Sequence, residues 1–137
     1  MRNLRLSQML FSIGLLVTIP VHAAEVNGVW IKNVRDWAKR EAICSRALGK
    51  ENNEIVVYER DIFIVKDNEI IGASAKCKIK ARKDDGQLIR LLVACPSEIA
   101  ENQLTFRADG PDEMTRIFPG MTQMNTKYFR CPEGAMP

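Results

Sequence analysis

Histidine is nearly absent from this chain. The one present, His22, falls in an N-terminal stretch that reads as a removable leader, so residues 24–137 contain none. That excludes Ser-His-Asp and Cys-His catalysis in their usual form, and histidine-ligated metal sites with them. Close Cys-x-x-Cys pairs are missing too, which argues against a thiolate zinc site. There is no Asp-rich calcium loop and no glycine-rich phosphate loop. Only carboxylate-pair or lysine chemistry remains open. The adjacent acids Asp84-Asp85 and Asp112-Glu113 stand where turns are expected, and turn carboxylates are usually just solvated. The expectation is a protein that is not an enzyme, with no cofactor and no metal.

A second long apolar run is also lacking. Met9–Ile19 is uncharged and apolar behind Arg2 and Arg5, then Pro20 breaks it and Val21-His22-Ala23 supplies a cleavage pattern. The run is shorter than the roughly 18–20 apolar residues a membrane span requires, so residues 1–23 read as a signal peptide, not an anchor. Cleavage falls after Ala23 or Ala24. Residues 24–137 then form one exported domain, periplasmic or secreted. With Arg2 and Arg5 gone, the 20 lysines and arginines become 18 against 17 aspartates and glutamates, and the net charge drops from +3 to +1. So small a surplus does not suggest a nucleic-acid partner.

What the chain does have is four cysteines, Cys44, Cys77, Cys95 and Cys131. An even count in an exported chain reads as two disulfides, with three pairings possible. Lys76–Cys95 selects among them, because it reads as a β-hairpin with a polar turn at Asp84-Asp85-Gly86. A loop of three or five residues centred on Gly86 sets Cys77 opposite Cys95, on the core side of both arms. A two-residue Asp-Gly turn would set it opposite Ala94. Cys77–Cys95 then leaves Cys44–Cys131. The chain-entropy relation assigns ~3 kcal/mol to the shorter loop and ~4–5 to the longer.

Around this hairpin the chain reads as short strands with turn signals between them. Glu25–Lys32 is a first strand. Asp36 caps a helix over Trp37–Leu48, ended by Gly49, with Trp37, Cys44 and Leu48 on its inward face. Lys50–Asn53 is a loop. Glu54–Val65 is strand, interrupted by a bulge or turn at Glu59-Arg60-Asp61. Lys66-Asp67-Asn68 turns, and Glu69–Arg82 continues as strand with a bend at Gly72. Gln103–Ala108, Glu113–Phe118 and Lys127–Cys131 complete the set. The pattern predicts a mainly β fold: a small antiparallel meander closing into a barrel or sandwich, with one short N-terminal helix.

Two surface features suggest binding. Strict alternation places Lys76, Lys78, Lys80 and Arg82 on one strand face, either an anion-binding strip or a solvated face that discourages edge-to-edge aggregation. Phe118, Met121 and Met124 flank Pro119-Gly120 and form an apolar loop for a partner, unless they pack in the core.

Gly28-Val29-Trp30 resembles the Gly-x-Trp opening of lipocalin-like barrels, including short exported bacterial protease inhibitors. That resemblance implies a barrel whose Trp30 plugs one end beneath a basic side chain of the last strand, the position Arg130 holds in Lys127-Tyr128-Phe129-Arg130-Cys131. The wider pattern of leader, Gly-x-Trp and four spaced cysteines ending in Tyr-Phe-Arg-Cys-Pro is similar to small exported bacterial proteins of unknown function. The expectation is a non-enzymatic envelope binding protein, for example an inhibitor of a hydrolase or protease. Its partner would be another protein or an anionic envelope polymer. The alternatives are a lipocalin-like carrier of a small apolar ligand and a structural or assembly component.

Overall fold

A computed structural model describes residues 24–96 and 98–137; the leader expected over residues 1–23 lies outside them. The chain forms β1 (Gly28–Lys32), α1 (Trp37–Ala47), β2 (Leu48–Glu51), β3 (Glu54–Val57), β4 (Ile62–Lys66), β5 (Glu69–Gly72), β6 (Lys76–Asp85), β7 (Leu88–Ala94), β8 (Asn102–Gly110), β9 (Glu113–Ile117), a 3₁₀ turn (Thr122–Met124) and β10 (Thr126–Arg130). Strands β1 and β4–β10 pair antiparallel in the order β1-β10-β9-β8-β7-β6-β5-β4 and close into a barrel. The eight follow one another around the wall as a meander. Between the first and second of them the chain inserts α1 and the separate β2–β3 hairpin. Of barrel and sandwich, the fold is the barrel. Among the described residues, no helix is long and apolar enough to cross a membrane.

Local chemistry explains the reversals. Asn52-Asn53 and Asp67-Asn68 hold φ of 50° and 67°, and 50° and 63°. These are two-residue hairpin loops with both central residues left-handed, a conformation asparagine and aspartate tolerate best after glycine. The expected bend at Gly72 is a full reversal: β5 and β6 pair at Ile70↔Cys77, and the Gly72 amide donates to the Ala75 carbonyl at 2.8 Å. Glu69–Arg82 is therefore two strands. Small Ala73, Ser74 and Ala75 let the chain turn there.

Alternation sorts the side chains into two cores. Trp30, Val65, Cys77, Ile89, Leu91, Val93, Phe106 and Met114 fill the barrel interior. On the outer wall, Val29, Ile31, Ile62, Ile64, Ile71 and Phe129 pack under Cys44, Ala47 and Val57 of the inserted module. β1 and β4 are thus apolar on both faces, which is why GVWIK and IFIVK read as unbroken apolar runs. Asp36 caps α1 as expected, its carboxylate accepting from the Lys39 amide at 2.9 Å. The helix ends one residue early, at Ala47, because Leu48 is extended (φ −120°, ψ 145°) and starts β2. Its buried residues are Arg40, Cys44 and Ala47. Trp37, expected inward, is 55% exposed; Arg40, one turn on, takes the buried place, its guanidinium carbon 4.9 Å from the Trp37 ring centroid.

Both expected disulfides are present, Cys44–Cys131 with Cα atoms 5.9 Å apart and Cys77–Cys95 at 4.2 Å. The second arises by a route the sequence did not suggest. The β6–β7 loop has two residues, Gly86 and Gln87, since Asp85 pairs with Leu88. Gly86 supplies the positive φ, +61°, that the first central position of such a turn requires. With regular pairing from that turn, Cys77 would fall opposite Pro96. A bulge between Ile79 and Ala81 absorbs one residue, restores Lys78↔Ala94, and so brings Cys77 level with Cys95.

A second bulge, between Ala108 and Gly110, frees Asp109. Its carboxylate accepts from Arg107 Nε at 2.7 Å and from the Thr115 hydroxyl. Burial pushes the Asp109 carboxyl up, but the Thr115 and Arg107 hydrogen bonds outweigh it and hold the group below its ordinary value. A depressed folded-state pKa gives stability that is present above the unfolded value of roughly 4 and lost as pH falls through the folded one. The urea midpoint of the wild type should therefore fall toward that of Asp109→Asn on acidification below about pH 4. Parallel curves would remove this role.

Candidate binding site

Trp30 plugs one end of the barrel, and a hollow of about 580 Å³ opens beside it among Ala24, Val26, Ile89, Ala108 and Met114. Trp30 is 1% exposed and its indole Nε1 donates to the Val26 carbonyl at 2.9 Å. Arg130, paired with Trp30 across β1 and β10, lays its guanidinium carbon 4.3 Å from the Trp30 ring centroid. The same guanidinium donates to the carbonyls of Asn27, Glu25 (2.8 Å) and Pro111 (3.2 Å) and ion-pairs with Asp112 at 3.3 Å. It straps the segment before β1 across the barrel floor. Gly28 permits this: its φ is +137°, and a side chain there would run into Arg130. Arg82 joins the same closure, donating to the Ala24 carbonyl at 2.7 Å and ion-pairing with Asp84 at 2.8 Å.

That placement corrects the basic strip. Lys76 and Lys78 stay on the outer wall, with Lys76 3.6 Å from Glu69, and Lys80 occupies the bulge. Past the bulge the alternation changes phase, so Arg82, opposite Leu91, faces the interior side. The four do not form one row. Met121 and Met124 are 46% and 48% exposed beside the 3₁₀ turn. Phe118 is half-buried, 4.5 Å beneath the guanidinium carbon of Arg116.

The opposite end is open as well. Phe63, Ile70, Leu104, Phe106, Arg116 and Tyr128 line a cup of about 530 Å³, with Arg60, Asp61 and the β5–β6 turn among its other lining residues. Phe63 meets the Tyr128 ring edge-on, centroids 5.0 Å apart, and lies 6.0 Å from Phe106. A neighbouring hollow of about 390 Å³ shares Ile70, Leu104 and Arg116 and is bounded by Cys77 and Cys95. Register turns Arg116 inward, since it pairs with Phe106 on β8 and Thr126 on β10. Among the described residues no carboxylate lies within ion-pair distance of Arg116. Burial pushes the Tyr128 hydroxyl up, with Arg116 partly opposing this and Asp61 reinforcing it. Tyr128 is therefore a neutral hydrogen-bonding group at any physiological pH.

The cup joins residues that sequence reasoning did not single out: Phe63, Phe106, Arg116 and Tyr128. A signal for Arg116 exists. In Glu113–Ile117 it occupies the same alternation phase as buried Met114, and a cation in the inward phase of a strand calls for a reason. The nominated Phe118 reaches the cup only through its contact with Arg116. No protein family, curated protein or solved structure matches this chain.

Proposed function

We propose that this is a non-catalytic exported binding protein that takes a small amphipathic ligand, an apolar body with an acidic group, into the cup at the barrel end opposite Trp30. One observation carries the reading: an inward-facing arginine without an ion-pair partner in a cup walled by Phe63, Ile70, Leu104, Phe106 and Tyr128, with Arg60 and Asp61 also in its lining. Pockets of a few hundred Å³ with apolar walls and few polar groups are the usual form of small-molecule sites. A guanidinium there loses part of its hydration and gains most from an anion that restores its hydrogen bonds. The lack of histidine after the leader and the commitment of all four cysteines to disulfides support binding over catalysis. Disulfides also suit the oxidising periplasm or cell exterior.

Displacement of an environment-sensitive naphthalene dye tests this. Decanoate should displace it, decylamine should not, and Arg116→Gln should weaken decanoate by about tenfold to a hundredfold while sparing decanol. Equal response to all three amphiphiles, or none, would overturn the reading.

A second reading, a protein-facing inhibitor surface, draws on exposed Met121 and Met124 beside the 3₁₀ turn. Adaptable methionines are frequent at such contacts. The outer-wall lysines Lys76 and Lys78 would supply charge for an acidic partner.

A further inference from the structure

α1 buries a cation that the two cores do not explain. Arg40 is 8% exposed. Its guanidinium carbon lies 4.9 Å from the Trp37 ring centroid and 5.5 Å from that of Phe129. Its Nε is fully enclosed without a hydrogen-bond partner, and no side chain or carbonyl among the described residues accepts from its terminal nitrogens. The rings attract the charge but leave the Nε–H unanswered, while the terminal nitrogens keep contact with solvent. Buried charges in folded proteins are normally paired, and an orphaned one points to a missing partner.

Arg40 borders a hollow of about 370 Å³, walled by Arg35, Gly110, Pro111, Asp112, Glu113 and Phe129. The two acids are already engaged, Asp112 by Arg130 at 3.3 Å and Glu113 by Lys127 at 2.5 Å. Arg35 is loosely held, 77% exposed and 3.8 Å from Glu113, with its guanidinium carbon 5.7 Å from the Phe129 centroid. The space thus has one largely buried cation with an unpartnered Nε–H, one exposed cation, and an aromatic wall. Asp112 and Glu113 would disfavour a doubly charged guest more than a singly charged one.

We infer that this hollow is a binding site for a monoanionic carboxylate, with Arg40 as its fixed donor and Arg35 swinging in as the second. The site lies outside the barrel wall, at the β8–β9 turn and the N-terminal half of α1, and is independent of the cup. The carboxylate can come from a free small acid or from an acidic side chain or C-terminus of a peptide.

The test uses the folded protein, following the Arg40 side-chain Nε–H signal by NMR and Trp37 fluorescence during titration with benzoate, inorganic phosphate and an acidic peptide at fixed ionic strength. The expected result is a saturable shift with benzoate and a weaker one with phosphate. A peptide that saturates more tightly than benzoate identifies the source as protein. One that binds no better identifies a free acid. Arg40→Gln should weaken binding about tenfold or more, the loss of a charge-assisted hydrogen bond. Exposed Arg35→Gln, which leaves the fold intact, should weaken it severalfold, so an unstable Arg40 variant does not end the test. Arg116→Gln should leave benzoate binding here unchanged. If the Arg40 signal moves with no carboxylate, or if phosphate binds tighter than benzoate, the inference fails.

Discussion

Trp30→Ala should destabilise the protein by about 3–5 kcal/mol, the range for removing a fully buried tryptophan. The indole is the largest of the side chains the structure encloses almost completely, and it is the floor on which the barrel closes. Its loss leaves a cavity and deprives the Val26 carbonyl of its donor. It also removes the surface on which Arg130 rests. Trp30→Phe should recover part of the packing but not the hydrogen bond, and should fall between. A urea denaturation series on the three proteins measures this. A loss under about 1 kcal/mol for Trp30→Ala, the size of a surface substitution, would show that the strap closes the floor without the tryptophan.

Removing the Cys44–Cys131 crosslink with Cys44→Ala and Cys131→Ala together should cost about 4–5 kcal/mol by the loop-entropy relation. The two cysteines are 87 residues apart in sequence, so the crosslink strongly restricts the unfolded chain. It also ties α1 to the end of β10, across the outer core. Removing Cys77–Cys95, with a separation of 18, should cost less, about 3 kcal/mol on the same relation. That ordering is the check. If losing Cys77–Cys95 proves the more damaging by thermal and urea unfolding, the stabilisation comes from the β6–β7 geometry and not from chain entropy.

How legible this fold was in its sequence depends on the range of the interaction. Period-two alternation in the two arms of Lys76–Cys95 marked strands, and the pair of cysteines flanking that hairpin marked a crosslink. Those are local or parity arguments and they needed only neighbouring residues. The bulge at Lys80 was not visible, because nothing in KIKARKDD distinguishes a residue that pairs from one that is skipped. Its existence followed from the turn at one end and the disulfide at the other. The same skip moved Arg82 out of the lysine row, so the expected single row breaks where its phase depended on an unseen register. Trp37 misled because helical spacing gave its angular position but not its depth: Arg40, Cys44 and Ala47 are the buried residues of that face. Arg130 was singled out through the resemblance of Gly28-Val29-Trp30 to lipocalin-like barrels, whereas the cup required knowing which strand ends meet. Arg116 and Tyr128 are brought beside Phe63 only by closure of the barrel.

That closure has a consequence for the order of assembly. Seven of the eight contacts around the wall join strands consecutive along the meander; the eighth, β1 with β10, joins residues about as far apart as the chain allows. Such a contact is slow to form, because its loop entropy is lost before any of its hydrogen bonds are gained. Until the final strand arrives, β1 and β10 are unpaired edges, with Trp30 uncovered by Arg130 and the outer core missing Phe129. For the interval before the seam closes, the chain would be a nearly complete sheet with two sticky margins. The Cys44–Cys131 bond lies beside that seam and would act as its latch, locking a closure already made.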